Sequence, residues 1–161
     1  MRQKGFTLVE LLVVMAVGGV ILVGALLTIH QVMLGTGRTN SQVVALTEVN
    51  HAALQIKKDL MMTQTTDLTT VPQSSVMLNW TDYTGFETGN QTHSSSYVLS
   101  GTELLRTYDG TVSIVGRNIT SLGFTQDDRV INVVITATGS GAPQRSETLK
   151  FSAYIRAAEI E

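Results

Sequence analysis

Apolar and polar positions along the 161 residues fall into three regimes. From Leu11 to Ile29 the run LLVVMAVGGVILVGALLTI carries no charge and a single polar side chain, Thr28. A helix rising about 1.5 Å per residue needs about 20 apolar residues to cross a bilayer's hydrocarbon core, and residues 6–29 supply them. The pattern therefore predicts one membrane-spanning helix. Beyond it, Leu46, Val49, Ala53, Ile56 and Leu60 recur at helical spacing while Glu48, Asn50, Gln55 and Lys57 lie off the stripe. That predicts a continuation of the helix outside the membrane with one face to be covered. Gly35 and Gly37 are candidate bending points between the two halves. The stripe is too short for the sustained heptads of a coiled coil, so it is expected to pack on a sheet. Poor helix formers in TQTTDLTTVP, closed by Pro72, end the helix near Thr63 to Thr66.

Past Pro72 the period changes from helical to alternating. VMLNW predicts a first strand, SYVLSGTELLRTY a hairpin around Ser100-Gly101-Thr102, and Asp109-Gly110 a second turn before TVSIVG. NITSLGFT and RVINVVITAT follow, divided by Asp127-Asp128, the second with Ile131, Val133, Ile135 and Ala137 on one face. In the last strand Leu149, Phe151, Ala153 and Ile155 alternate with polar neighbours. The stretch from residue 81 to 96, rich in Gly, Ser and Thr, reads as a loop. A sheet with one apolar face needs a cover, and the striped helix is the candidate. The fold class is α+β: a long N-terminal helix whose outer half packs on an antiparallel sheet and whose inner half projects as an anchor.

Composition adds exclusions. With 43% apolar and 15% charged residues the chain is an ordinary folding sequence, and its net charge of -2 comes from scattered groups. No basic stripe follows a phosphate backbone, so direct nucleic-acid binding is not expected. There is no cysteine, which removes disulfides, thiolate metal sites and a thiol nucleophile.

Charge also orients the span. Arg2 and Lys4 precede it and the next basic residue after it, apart from the histidine at 30, is Arg38, which keeps the N-terminus cytoplasmic and puts the remainder outside the membrane. A secretory signal carries a shorter apolar run followed by a small-residue cleavage site, whereas here Gly5 lies ahead of the run. Glu10 is the conspicuous exception inside it. A carboxylate in a membrane helix costs roughly 2.5–3.5 kcal/mol on insertion scales and so needs a partner or a hydrated position. Cleavage at Lys4-Gly5-Phe6 would create an amine at Phe6 that an acid on an adjacent helix can neutralise. Hydration among headgroups, at the positive end of the helix dipole, is the alternative.

The string KGFTLVELLVVMAV, Lys4 to Val17, resembles the processing and methylation motif of type IV pilins and the pseudopilins of type II secretion. That resemblance implies a leader, residues 1–5, removed by a prepilin peptidase after Gly5. It implies N-methylation of Phe6 and an assembly role for Glu10. It further implies a transmembrane and assembly helix at 6–29, its extracytoplasmic continuation at 30–66, and a β-rich domain at 67–161. The expected fold is pilin-like. The expected partners are the peptidase, other pilins or pseudopilins, and the inner-membrane assembly platform. The expected location is the cytoplasmic membrane, with the C-terminal domain periplasmic or extracellular, and then a filament.

No proline interrupts residues 11–29, and a disulfide-bounded loop is absent, which favours a minor subunit. LLRTYDG and the strand-rich tail are similar to minor pseudopilins of type II secretion, the J type among them. A minor type IV pilin or a competence pseudopilin shares these features. A rival of another class is a signal-anchored surface-binding domain using residues 81–96 as its ligand-contacting tip.

Enzyme chemistry finds no purchase. His30, His51 and His93 lack metal-ligand spacing, no nucleophile or phosphate-loop motif occurs, and neither a cofactor nor a metal is expected. Asp109, Asp127 and Asp128 lack the spacing of a calcium loop. The three Asn-x-Thr triplets at Asn79, Asn90 and Asn118 match a glycosylation acceptor pattern that chance supplies in a chain this rich in Thr and Ser, and read as solvated polar side chains.

Overall fold

The computed structural model describes residues 7–82 and 89–156. Helix α1, Leu8–Met62, is a single unbroken element of 55 residues, about 80 Å long at 1.5 Å per residue. It starts at Thr7, whose Oγ1 accepts from the Glu10 backbone N–H at 3.3 Å. Thr7 and Glu10 have the spacing of a capping box, in which the hydroxyl satisfies one orphan donor of the first turn. It ends at Thr63, which turns extended while its N–H donates to the carbonyls of Asp59 and Leu60 and its hydroxyl donates to Asp59.

Among the described residues eight strands follow: β1 (Thr65–Thr66), β2 (Ser75–Asp82), β3 (Gln91–Ser100), β4 (Glu103–Tyr108), β5 (Thr111–Gly116), β6 (Ile119–Asp127), β7 (Val130–Thr138) and β8 (Ser146–Tyr154). All pairs are antiparallel, and the strands form two sheets rather than one, ordered β1-β2-β3-β4-β5 and β6-β7-β8. The division falls where Asn118, at φ 57°, turns the chain out of β5 and into β6. Asparagine tolerates that left-handed conformation better than most side chains. Among the described residues the Gln73–Phe124 bridge ties the sheets together, with the Thr66 hydroxyl donating to Gln126 Oε1 and the Gln126 N–H donating to the Thr69 carbonyl beside it.

The helix lies over both sheets and meets β8, β7, β5 and β2. Its covered face comprises Ala45, Val49, Ala52, Ala53, Ile56 and Leu60, which share one core with Leu78, Leu104, Phe124 and Ile135 of the sheets. Full burial of each large aliphatic chain contributes roughly 1.5–3 kcal/mol. Leu46, expected on this face, is 41% exposed instead. Alanines at 45 and 52 take the central line because they let the helix come close: a Cβ on Gly116 would lie 3.2 Å from that of Ala52.

Residues 91–96, expected in a loop, form the first part of β3, in register with β2. Gly35 and Gly37 lie inside the unbroken helix. The β7–β8 connection folds down against this part of the helix. A side chain on Gly37 would come 2.8 Å from the Ala142 carbonyl, and one on Gly139 would collide with the Ser41 carbonyl. Ser41 is fully buried there and its hydroxyl accepts from the Arg145 N–H at 2.9 Å. Gly139→Ala is thus expected to cost roughly 1–3 kcal/mol by overpacking, whereas Gly123→Ala, with open space around its Cβ, should stay within about 0.5 kcal/mol. Urea titration of both variants in detergent checks this.

Candidate functional site

The first functional element is the projecting half of α1. Every residue from Thr7 to Asn40 is exposed except Gly18 and Gly37, which are half-buried; the head reaches this stretch at Gly37, where the Ala142 carbonyl comes close, and leaves the apolar residues 8–34 bare. Its length and apolarity suffice to cross a membrane. Exposed Leu8, Val13, Ile21, Leu27 and Leu34 would be costly in water and require lipid or other helices around them. Glu10 sits at the start of this surface with its side chain exposed. Its backbone N–H is held by the Thr7 cap, so the helix start does not depend on the carboxylate. Gly5 and Phe6 lie outside the described residues.

The second element fastens the head to the helix. Asp59 is fully buried between α1 and the first sheet. Its Oδ2 accepts from Ser95 Oγ at 2.7 Å, Tyr97 Oη at 2.6 Å and Arg106 Nε at 2.7 Å, while Oδ1 accepts from Arg106 Nη2 at 3.0 Å. The fork of Arg106 and two hydroxyls thus surround one carboxylate. Burial, then the bond to Asp59, pushes the Tyr97 phenol far above its ordinary range, so it remains a donor. Burial weakens the Arg106 charge, but the Asp59 bonds outweigh it and raise its pKa.

Sequence reading missed this cluster. Asp59 lies three residues past Ile56, on a face that the apolar stripe alone marks, and the serine-rich run around Ser95 reads as a loop. The legible signal was an acid at stripe spacing, with Arg106 alternating in phase with Leu104.

A third group extends outward on the same sheet face. His93 donates from Nδ1 to Asp109 Oδ2 at 2.6 Å, and Asp109 Oδ1 accepts from the Ser94 N–H at 2.8 Å. The rings of Trp80, His93 and Tyr108 lie with centroids 5.8–5.9 Å apart, and the Arg106 guanidinium sits 4.6 Å over Tyr108.

The His93 bond, with the Ser94 amide behind it, holds the Asp109 carboxyl below its usual 3.8. A depressed folded value means that the stabilisation is complete above the unfolded value and is lost as pH falls through the lower folded one. The stability difference between the protein and Asp109→Asn should be no more than about 1 kcal/mol for a partly exposed pair, and the part carried by the Asp109 carboxylate should shrink below about pH 4. Asparagine keeps the positive φ of 46° at this turn, so denaturation at pH 7 and pH 3 isolates the charge. With His93 engaged, the three aspartates considered for calcium do not converge, and no cluster of three metal-ligating side chains forms among the described residues.

Chemically, these elements hold a rigid head on a helix and leave the helix's far half bare. Comparison with known families bears on that bare half. Residues 1–26 match the family model of the prokaryotic N-terminal methylation motif. The motif supports a type IV pilin-like subunit. It implies processing by a prepilin peptidase and assembly with other pilins, in a class of structural filament subunits rather than enzymes. The apolar helix and the motif are together consistent with a membrane-anchored protein. Neither the curated proteins nor the solved structures give a match. The α+β layout of one long N-terminal helix on antiparallel sheets agrees with a pilin fold.

Proposed function

We propose that the chain is a minor pseudopilin of a type II secretion machine. In this reading it is cleaved between Gly5 and Phe6, N-methylated at Phe6, and built into a filament through α1 at an inner-membrane assembly platform. The observation that carries the reading is the methylation motif at the head of an unbroken 55-residue helix whose first half touches nothing in its own head. A secretory signal or a core helix would not leave that surface on the mature protein. In the bilayer, lipid covers residues 8–34; in the fibre, neighbouring helices replace lipid, and Glu10 of one subunit meets the Phe6 amine of another. Attraction between those charges offsets their desolvation when the contact is close. Arg2 and Lys4 ahead of the span favour a cytoplasmic N-terminus, which would leave the head on the periplasmic side. The uninterrupted apolar run without proline and the cysteine-free head support a minor rather than a major subunit.

Mass spectrometry of the mature chain tests the processing directly. The expected N-terminus is N-methylphenylalanine at residue 6; an intact Met1 sinks the filament reading. Copurification with the platform proteins of a secretion system, rather than those of a pilus, tests the finer assignment.

A further inference from the structure

The end of the head nearest the apolar span carries positive charge only. Between His30 and Leu46 the helix has one formally charged residue, Arg38, and the β7–β8 connection, residues 139–145, has one, Arg145. Both side chains are exposed, and neither has an ion-pair partner among the described residues. The nearest acids along the chain are engaged elsewhere: Glu147 accepts from Gln42 Nε2 at 2.8 Å, and Glu48 accepts from the Arg117 N–H at 2.7 Å. The chain as a whole stands at -2, so this positive end is a local arrangement. Its height is fixed as well. The Gly139 N–H donates to the Arg145 carbonyl at 2.8 Å and closes the connection, while the Arg145 N–H on Ser41 Oγ at 2.9 Å holds it to the helix. Glycine at 37 and 139 admits this contact, since a side chain at either would meet the opposite backbone. Arg145 is thus carried at the level of Ser41, about 5 Å beyond Arg38 along the helix.

Resting on the membrane-anchored part of the reading above, we infer that this end is a foot: Arg38 and Arg145 bind the phosphates of lipid headgroups in the leaflet beneath the head. Length decides the occupant. Residues 8–34 take up about 40 Å at 1.5 Å per residue, which matches the roughly 40–45 Å of a hydrocarbon core with both headgroup layers. Arg38 comes four residues later, about 6 Å, and the flexible stem of an arginine carries its charge down to the phosphate level. The chemistry agrees with that depth. The connection, GSGAPQR, has no large apolar side chain to insert among acyl chains, so it rests on headgroups instead. Guanidinium forks match phosphate oxygens two at a time. With the connection locked to an unbroken helix, the contact sets how deeply the anchor sits in the bilayer.

The absence of native cysteine lets one bimane label be placed in the full chain at Ser140→Cys, an exposed position in the foot. The chain is reconstituted in vesicles of phosphatidylcholine and phosphatidylglycerol that contain a phospholipid with a nitroxide on its headgroup. The label at Ser140→Cys should be strongly quenched and one at Val112→Cys should not. The chain after Val112 descends to His51 at Val115 and to Glu48 at Arg117, which puts Val112 about 20 Å or more above Gly37. Arg38→Gln together with Arg145→Gln should release the foot, since each arginine beside an anionic surface shifts the balance toward contact about fivefold. Glutamine keeps the backbone N–H that bonds Ser41, so the connection stays in place. Salt at about 1 M, where charges are screened beyond ~3 Å, should relieve the quenching of the parent chain in the same way. Quenching retained in full by the double variant overturns the foot and leaves the anchor and the filament reading standing. A label at Ser140→Cys quenched no more than the one at Val112→Cys does the same, as it would if the two cations met an acidic protein partner. A chain that fails to float with the vesicles overturns both.

Discussion

Replacing Asp59 by alanine is expected to destabilise the head by roughly 3–5 kcal/mol, the cost of leaving the rest of a buried ionic cluster without its partner. Arg106 would keep its charge at a side chain only 16% exposed, and the Tyr97 and Ser95 hydroxyls would lose their acceptor inside the fold. A fall in the urea midpoint on the order of 2 M follows from the usual slope for a small domain. The helix should stay helical, because Asp59 supplies its end with a backbone carbonyl that alanine also has. What is lost is the attachment of α1 to the first sheet. Replacing Asp59 and Arg106 together by leucine should recover the part of the loss that comes from the unpaired Arg106 charge, whereas the buried Tyr97 and Ser95 hydroxyls still lack their acceptor. A loss under about 1 kcal/mol for Asp59→Ala would mean that the cluster does not hold the helix.

Glu10→Val is expected to leave membrane insertion and cleavage after Gly5 intact and to reduce assembled filament by an order of magnitude or more. Valine is favoured in the span, so anchoring improves slightly. The Thr7 cap persists because its donor is the backbone N–H of residue 10. A defect therefore cannot be ascribed to a frayed helix start. The neighbouring Phe6 amine would enter a bundle of helices with no counter-charge, and one unit charge left unpaired in such surroundings costs several kcal/mol. Comparing the processed fraction with the sheared filament fraction separates the two steps. Filament in normal amount from Glu10→Val would show that Glu10 serves only as a hydrated residue at the membrane edge.

The two acids mark how far the sequence reads. Glu10 stands out because everything near it in the chain is apolar, and a charge in a long apolar run is legible without a structure. Asp59 does not stand out, since Lys57 and Lys58 precede it and nothing local distinguishes an acid turned inward from one turned to water. Its partners arrive from residues 95, 97 and 106. Burial of a polar group is decided by whether distant donors meet it, and that is a tertiary event. The same cause misplaced residues 91–96: a serine-rich run reads as a loop, but Ser95 belongs in the sheet because its hydroxyl is needed against Asp59. On the helix face Val49, Ala53, Ile56 and Leu60 are buried as the stripe predicts, and only Leu46 gives way to Ala45, because close approach to the sheet selects small side chains.

By itself the sequence determined the long anchor helix, the change to strands after Pro72, and the α+β layout, since hydrophobic period is a local property that packing follows. It also carried the methylation motif whole, in consecutive residues. The tertiary structure alone decided that the strands part into two sheets, that a buried carboxylate joins helix to head, and that the β7–β8 connection closes on Gly37 and Ser41. Each of these rests on residues far apart in the chain meeting at hydrogen-bond or van der Waals distance, which no local pattern encodes.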